Sequence, residues 1–240
     1  RINGDLLQAN LYRIERGASF AEVENFYDEN MSLIRIKLNP AISPAANAQK
    51  YYKDYQKAKN AEHILTEQIE KGRSELEYID SVLDTVSRAE SERELAQIRE
   101  ELTEQGYLRK QKGKQRPQAA LPPLEFTSSD GFKILVGRNN TQNDKLTLKI
   151  ANKNDMWLHT KDIHGSHTVV FAEGREISDT AILEAAQLAA YYSKARESSQ
   201  VPVDYTLVRY VSKPSGARPG MVIYVNNKTV YVTPKANISK

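Results

Sequence analysis

The stretch from Ser43 to Arg88 constrains the fold of this chain more than any other segment. Ser43-Pro44 is a typical helix start, because serine accepts hydrogen bonds from the free amides and proline fits the first helical position. A mostly apolar seam then follows at alternating spacings of four and three residues, which is the pattern of a coiled coil. Its positions are Tyr51, Tyr55, Ala58, Glu62, Leu65, Ile69, Gly72, Leu76, Ile79, Leu83 and Val86. We predict one long helix that needs a partner along this seam.

The residues before this helix cannot supply the partner. Residues 5–16 have a short apolar helical face that ends at Gly17, and residues 20–38 alternate around a turn at Asp28-Glu29-Asn30, as a β-hairpin does. The chain also begins with Arg rather than Met. We therefore expect a fragment of a longer protein, whose seam packs partly against the first helix and otherwise against a second copy.

A second helix and a basic linker follow. Ser91 and Glu94 form a capping-box pattern, Leu95, Ile98 and Leu102 are predicted to face inward, and Gly106 is a typical stop. Residues 106–123 carry five basic residues and no acidic one. We predict a coiled-coil and middle region over 1–106, a flexible basic linker over 107–123, and a separate domain over 124–240.

The last domain has the pattern of an α+β fold. Short strands are predicted at 132–136, 145–151, 156–160, 167–172, 204–211, 221–225 and 229–233. One helix interrupts them, capped by Asp179 and running to Arg196, and Asn226-Asn227 is predicted to turn the last hairpin. One helix among sequential strands favours an α+β class, so the whole chain is a long helical arm followed by a mixed domain.

Composition excludes several classes of protein. Cysteine is absent, which excludes disulfides and thiolate metal sites and suits a reducing, cytoplasmic compartment. No apolar stretch reaches the roughly 18 residues that span a bilayer. The net charge is only +3, but the C-terminal half and the linker are positive. This distribution fits either a polyanionic partner or ordinary surface scatter.

Three of the four histidines occur between positions 159 and 167, close to the single tryptophan, Trp157. A zinc site or acid–base catalysis by His159 with Asp155 or Asp162 is conceivable, but the spacing matches no zinc pattern. Asp155, Trp157 and His159 share one face of a predicted strand, which suggests either a binding surface or a hydrogen-bonded core edge. We predict no bound metal, no cofactor and no catalytic residue, and a face that points His159 away from the loop histidines.

Three other stretches are candidates for contact with an anion. The loop 137–144 is rich in Asn and Gln, the loop 213–220 combines Lys213 and Arg218 with Gly and Pro, and a stripe of Lys50, Lys53 and Lys57 lies on the long helix. Amide and guanidinium groups suit phosphate and base-edge contacts. The same stretches also fit an Asn-Gly turn, a long hairpin loop and a solvated helix face.

These stretches together resemble the C-terminal half of the NFACT family. The resemblance rests on Asp130-Gly131-Phe132, on Val136 to Asn140, on Asp155, Trp157 and His159, on Gly165-Ser166-His167, on 189–196 and on Pro219 to Tyr224. In the first half it rests on Ser43-Pro44, Asn47 to Tyr52 and Arg99 to Leu102. It implies a coiled-coil region followed by the domain called NFACT-R.

The resemblance also implies a function. Members of the family bind obstructed large ribosomal subunits and tRNA and promote C-terminal alanine tailing of stalled chains, and some relatives are described as anchorless surface adhesins for fibronectin. The partners implied are ribosomal RNA, stalk-base proteins and tRNA, with no membrane partner. The nucleic-acid-binding residues that we predict are Arg138, Asn139, Asn140, Asp155, Trp157, His159, Ser166, His167, Lys194, Arg196, Lys213 and Arg218. Lys50, Lys53 and Lys57 are predicted to contact the ribosome from the arm. For Trp157, stacking on an exposed base and burial in the core remain alternatives.

Overall fold

A computed structural model describes residues 1–110 and 120–236 of the chain. The centre of the predicted basic linker, residues 111–119, lies outside the described residues. The chain divides into two compact units, Arg1–Arg73 and Ser74–Lys240. No helix among the described residues is both long enough and apolar enough to cross a membrane.

The first unit contains a short helix, a hairpin and the start of the long helix. Helix α1 spans Ile2–Ala9, so it begins earlier than predicted, and a single 3-10 turn follows at Leu11–Arg13. Strands β1 (Phe20–Glu24) and β2 (Leu33–Lys37) pair antiparallel, which confirms the hairpin. The core of the unit consists of Leu6, Leu7, Ala21, Val23, Ile36, Leu38 and Ala48.

Helix α2 spans Pro44–Arg88 and confirms the prediction of one long helix. Ser43 Oγ accepts a hydrogen bond from the Ala46 amide at 3.2 Å, as expected of a helix cap. The coiled coil is not confirmed: Leu65 and Ile69 are 56% and 55% exposed, so no element of residues 1–110 or 120–236 covers them.

The last turns of α2 bury a different side of the helix from the predicted seam. Tyr78 and Val82 are buried, whereas Leu76 and Leu83 are 62% and 65% exposed. The buried pair packs against Ile98 of helix α3, which spans Glu92–Glu104. The fold of the second unit therefore selects the side of the helix that points inward.

The capping pattern of α3 is close to the prediction. Ser91 Oγ accepts from the Glu94 amide at 3.3 Å, while the Glu94 carboxylate accepts from the Glu90 amide at 2.8 Å. The helix stops before Gly106, whose φ of +85° is one that glycine adopts without strain. Leu95 is 45% exposed, so the prediction that it faces inward was wrong.

Among the described residues of the second unit, six strands form one antiparallel sheet. They are β3 (Leu124–Thr127), β4 (Lys133–Val136), β5 (Met156–Thr160), β6 (Thr168–Val170), β7 (Val201–Leu207) and β10 (Lys228–Val232). Their order across the sheet is β10-β7-β5-β6-β4-β3. Strand β3 was not predicted. The mixture of helices with a sheet confirms the helix-plus-sheet class.

Each face of the sheet has its own covering layer. Helix α5 (Asp179–Tyr191) covers one face through its alanines, against Ile134, Leu158 and Val203. The other face is covered by helix α4 (Asn140–Lys145), a π-helical turn (Leu146–Ile150) and the segment 208–225 with strands β8 (Val211–Ser212) and β9 (Ile223–Tyr224). Trp157 of β5 packs in the hydrophobic cluster between the sheet and this second layer.

Three predictions in this domain were wrong. Residues 145–151 are helical rather than a strand, because the chain enters them from the capped helix α4 and buries Leu146 and Thr147 together. Strand β9 pairs with β8, and β10 pairs with β7, so Asn226-Asn227 joins two sheets instead of turning a hairpin. Helix α5 is capped by Ser178 rather than Asp179, and it ends at Tyr191 rather than Arg196.

Candidate nucleic-acid interface

The Asn-rich loop before α4 is held by its own side chains. Asn139 Oδ1 accepts from the Gln142 amide at 2.8 Å, and Gln142 Oε1 accepts from the Arg138 amide at 2.8 Å. Asn143 Oδ1 accepts from the His167 amide at 3.1 Å, and a Cβ at position 137 would collide with this oxygen. The side-chain amides of Asn139, Gln142 and Asn143 therefore hold the turn together. Those of Asn139 and Asn143 are buried.

The same loop docks the sheet domain onto the α2–α3 helices. Glu101 of α3 is buried and accepts from the Thr141 amide at 2.9 Å, from Thr141 Oγ1 at 3.0 Å and from Asn140 Nδ2 at 3.2 Å. Tyr78 Oη donates to the same carboxylate at 3.0 Å. Burial and the Glu101 charge raise the pKa of Tyr78 above its ordinary value.

Two predicted phosphate contacts belong to this intramolecular interface. Arg138 forms an ion pair with Glu94 of α3, and its Nε donates to the Pro122 carbonyl at 2.9 Å. Arg218 lies 5.7 Å from the Tyr78 ring centroid and donates to Gln105 Oε1 at 3.0 Å. The predictions of Asn139 and Asn140 as direct RNA contacts are corrected, because both side chains are buried. Arg138 and Arg218 are half-buried and engaged within the fold, and their roles as phosphate contacts stay predictions.

The Asp/Trp/His strand face is a core and not an exposed surface. Trp157 is fully buried, and its ring centroid is 4.8 Å from that of Tyr224 and 5.2 Å from that of His167. Asp155 is buried and accepts from the amides of Asn152 and Ala172 at 2.7 Å and 2.9 Å. Stacking of Trp157 on an exposed base is excluded by burial, so Trp157 and Asp155 are removed as direct contacts.

The two strand-face histidines lie side by side. His159 and His167 have ring centroids 5.5 Å apart, so the prediction that His159 points away from the loop histidines was wrong. His159 Nε2 lies 3.3 Å from the Gly165 carbonyl. His167 Nε2 lies 3.2 Å from the Gly220 carbonyl and Nδ1 lies 2.8 Å from Thr147 Oγ1. A carbonyl only accepts, so Nε2 of His167 carries the hydrogen and Nδ1 is free to accept from Thr147.

Burial governs the ionisation of both histidines. It lowers the pKa of His159 below the ordinary value and that of His167 to about 3, because water no longer solvates the charged ring. The neutral His167 ring then serves as a hydrogen-bonded core residue, and the half-buried His159 lies beside it. Within residues 1–110 and 120–236, no three His, Cys, Asp or Glu side chains come together as metal ligands would. His167 and the equally buried Ser166 are corrected to structural residues.

Lys194 and Arg196, which follow α5, remain on the surface as predicted contacts. Both are exposed, and the Arg196 guanidinium lies 4.1 Å above the ring of Tyr191. Lys213, by contrast, is half-buried and forms an ion pair with Asp144. Its charge is therefore partly neutralised inside the fold, and its role as a phosphate contact stays a prediction.

Sequence reasoning missed a group of exposed basic residues in the domain. We call it the basic face: Lys145, Lys149, Lys153 and Arg209, all exposed and in the layer that covers Trp157. The Arg209 amide and Nε both donate to the Lys153 carbonyl at 3.3 Å, which joins the two segments. Among the described residues, none of the four forms an ion pair with an acidic side chain.

A signal for the basic face was present in the sequence. Residues 145–154 contain three lysines and no Asp or Glu, and no acidic residue occurs after Asp204. The helical turn at 145–150 spaces Lys145 and Lys149 by four residues, which places neighbouring side chains on a similar side of a helix. The predicted strand at 145–151 concealed this relationship.

Comparison with known proteins identifies the relatives of the chain. A family model described as the NFACT N-terminal and middle domains matches residues 1–120, and a model described as the NFACT protein RNA binding domain matches residues 123–226. The chain belongs to the NFACT family. Within this family the basic face lies in the part that matches the RNA binding domain.

Curated NFACT relatives match the whole chain. The protein named Rqc2 homolog RqcH from Bacillus subtilis (strain 168) is 49% identical over 240 residues, covering 99% of this chain and 42% of the relative. The protein of the same name from Streptococcus suis (strain 05ZYH33) is 42% identical over 235 residues, covering 98% of this chain and 42% of the relative. The chain thus spans less than half the length of these relatives.

A solved NFACT structure has the same architecture. The C-terminal part of the fibronectin/fibrinogen-binding protein from Streptococcus suis is 44% identical, with a TM-score of 0.75 over 80% of this chain and 77% of that chain. The predicted arm contacts Lys50, Lys53 and Lys57 lie in the part that matches the NFACT N-terminal and middle domains, and all three are exposed on α2. Their role as ribosome contacts stays a prediction.

Proposed function

We propose that this chain is the RNA-binding part of a ribosome-associated quality-control factor, and that its C-terminal domain holds RNA mainly through the phosphate backbone. The names of the relatives support the quality-control role, and the description of the second family model supports RNA as the ligand. The observation that carries the proposal is the basic face, whose cations have no carboxylate partner among the described residues.

The physical argument rests on counterion release. A lysine or arginine that contacts a phosphate displaces a condensed counterion from the nucleic acid, and this release drives binding at low salt. Lys213 and Arg138 are already paired with Asp144 and Glu94, so they contribute little to such a process. The four unpaired cations of the basic face can contribute in full.

The finer role follows from the family resemblance and is part of the proposal. The chain would contact the RNA of an obstructed large ribosomal subunit, with stalk-base proteins and tRNA as further partners, while the complete protein promotes alanine tailing. The ribosome forms the peptide bonds in this scheme, so we propose that the chain is not an enzyme and acts in the cytoplasm. The exposed Lys50, Lys53 and Lys57 would contact the ribosome from α2.

Cosedimentation with purified large ribosomal subunits, together with a tRNA binding titration at several salt concentrations, tests this proposal. We expect binding to both, with an affinity that falls steeply as salt rises. A chain that pellets with no subunits and binds no tRNA at low salt would show that the function is different.

A second candidate function is fibronectin binding at the cell surface. The observation that favours it is the description of the solved Streptococcus suis relative as a fibronectin/fibrinogen-binding protein. Binding to immobilised fibronectin tests it directly. Saturable binding that persists in the basic-face variants would support a second role on a separate surface, whereas no binding at micromolar concentration would remove it.

A further inference from the structure

A cleft lies between the turn that joins α2 to α3 and the nearby end of the sheet domain. It has a volume of about 80 Å³ and shares no residue with the basic face. Its lining combines three arginines with two tyrosines, and we call it the arginine cleft: Arg88, Arg138, Tyr191, Tyr192 and Arg196, with Glu90 and Glu94 also in the lining.

Arg196 and Tyr191 form a prepared stacking platform at the cleft. The Arg196 guanidinium lies 4.1 Å from the Tyr191 ring centroid, and its Nη2 donates to Tyr191 Oη. Tyr192 supports Tyr191 edge-on, with ring centroids 5.1 Å apart at 79°. The Arg196 side chain remains 41% exposed, so the planar group is oriented while part of it stays open to a ligand.

The other two arginines of the arginine cleft support its wall and do not add charge. Arg88 pairs with Asp84 at 2.8 Å, and its Nη1 lies 3.4 Å from Ser166 Oγ. Arg138 pairs with Glu94. The cationic group of the lining that is left is Arg196. Lys194, two residues earlier in the chain, is exposed outside the lining and has no ion pair among the described residues. Glu197 is only 4.0 Å from Arg196 but is almost fully exposed, so it neutralises Arg196 weakly.

This chemistry selects a particular kind of ligand. An arginine stacked on an aromatic ring can stack in turn on a nucleobase, and single-stranded RNA offers unstacked bases for such a contact. The exposed Glu90 in the lining disfavours a dense polyanion such as a triphosphate. The paired bases of a duplex are stacked inside the double helix, so they cannot enter a cleft of this size.

We propose that the arginine cleft binds one unpaired nucleotide of RNA, with the base stacked on the Arg196–Tyr191 platform and the adjacent phosphate held by Lys194. This inference rests on the proposed function in taking RNA as the ligand. Binding in the arginine cleft requires a base, whereas binding on the basic face requires only phosphates.

The test compares a fluorescent hexauridylate with the corresponding abasic hexamer, using the whole chain. We expect the hexamer with bases to bind more tightly than the abasic one, by about five-fold or more, as one stacked base provides. Arg196→Lys keeps the charge but loses the planar stack, so it should remove most of this ratio. Tyr191→Ala should do the same.

Two controls separate the proposals. Arg175→Lys changes another stacked arginine, 4.0 Å from the Phe132 ring, and should leave the ratio unchanged. The triple variant Lys149→Ala/Lys153→Ala/Arg209→Ala should weaken both hexamers equally. A chain that binds tRNA but shows no base-dependent ratio, or keeps the ratio in folded Arg196→Lys, overturns the arginine cleft alone. A chain that binds no RNA overturns the proposed function as well.

Discussion

The carboxylate of Glu101 in α3 lies at the amino-terminal turn of α4, where it accepts from both the amide and the hydroxyl of Thr141, at 2.9 Å and 3.0 Å. Asn140 and Tyr78 donate to the same group. One buried anion thus satisfies donors from α2 and from the loop of the sheet domain. It joins the α2–α3 helices to the domain that matches the RNA binding family model.

Replacing Glu101 with glutamine should weaken this junction. The new NH₂ group would face donors, leaving buried polar groups unsatisfied, which typically costs about 1–3 kcal/mol. We expect a lower free energy of unfolding in urea, with RNA affinity nearly unchanged. Glu104→Gln on the exposed side of the same helix is the control and should have little effect. Equal stability of the two variants would show that the junction contributes little.

Removing cations of the basic face should change the salt dependence of RNA binding. Each lost phosphate contact lowers the slope of log affinity against log salt by roughly one unit or less. Lys149→Ala/Lys153→Ala/Arg209→Ala should therefore reduce the slope by up to about three units. The matched control, Lys161→Ala/Arg175→Ala/Lys235→Ala, removes the same charge from elsewhere. Identical slopes for the two triple variants would place the contact on another surface.

The double variant Lys213→Ala/Arg218→Ala should behave differently from the basic-face variant. Lys213 pairs with Asp144, and Arg218 donates to Gln105 near the Tyr78 and Tyr107 rings, so both act within the fold. We expect a lower melting temperature with a nearly unchanged salt slope. A slope that falls by more than one unit would return this loop to the RNA interface.

Acid should destabilise the protein through His167. The pKa of this buried ring is lowered to about 3, so the unfolded chain, with a histidine pKa near 6.5, takes up the proton first. Stability is therefore complete above about pH 6.5 and is lost as the pH falls towards 3, by up to about 1.4 kcal/mol per pH unit. His167→Asn should reduce the slope of unfolding free energy against pH. The control is His63→Asn, which changes a histidine with a 76% exposed side chain and should leave that slope unchanged.

The exposed stripe of α2 should cause self-association. Leu65 and Ile69 are more than half exposed, and apolar side chains at heptad spacing favour pairing with another helix. We expect a concentration-dependent dimer in sedimentation velocity, and a monomer of unchanged helicity for Leu65→Lys/Ile69→Lys. A wild-type chain that stays monomeric at high concentration would contradict this prediction.

The sequence by itself determined the elements whose signals are local. Ser43-Pro44 starts α2, Ser91 caps α3 and Gly106 ends it, because capping groups and backbone angles depend on a few neighbouring residues. The strand predicted at 156–160 likewise coincides with β5. The motifs between Asp130 and Tyr224 were sufficient to recognise the family that the comparisons show.

Only the tertiary structure decided which polar residues are free to bind a partner. Asn140, Arg138 and Arg218 have the composition of an RNA-binding loop, yet Glu101, Glu94 and Gln105 occupy them from about 40 to more than 100 residues away in the chain. Contacts between distant segments likewise joined β10 to β7. Exposure depends on contacts between distant segments, which local sequence patterns do not encode. Lys149, Lys153 and Arg209 were therefore recognised as exposed cations without an ion pair among the described residues only once the fold was known.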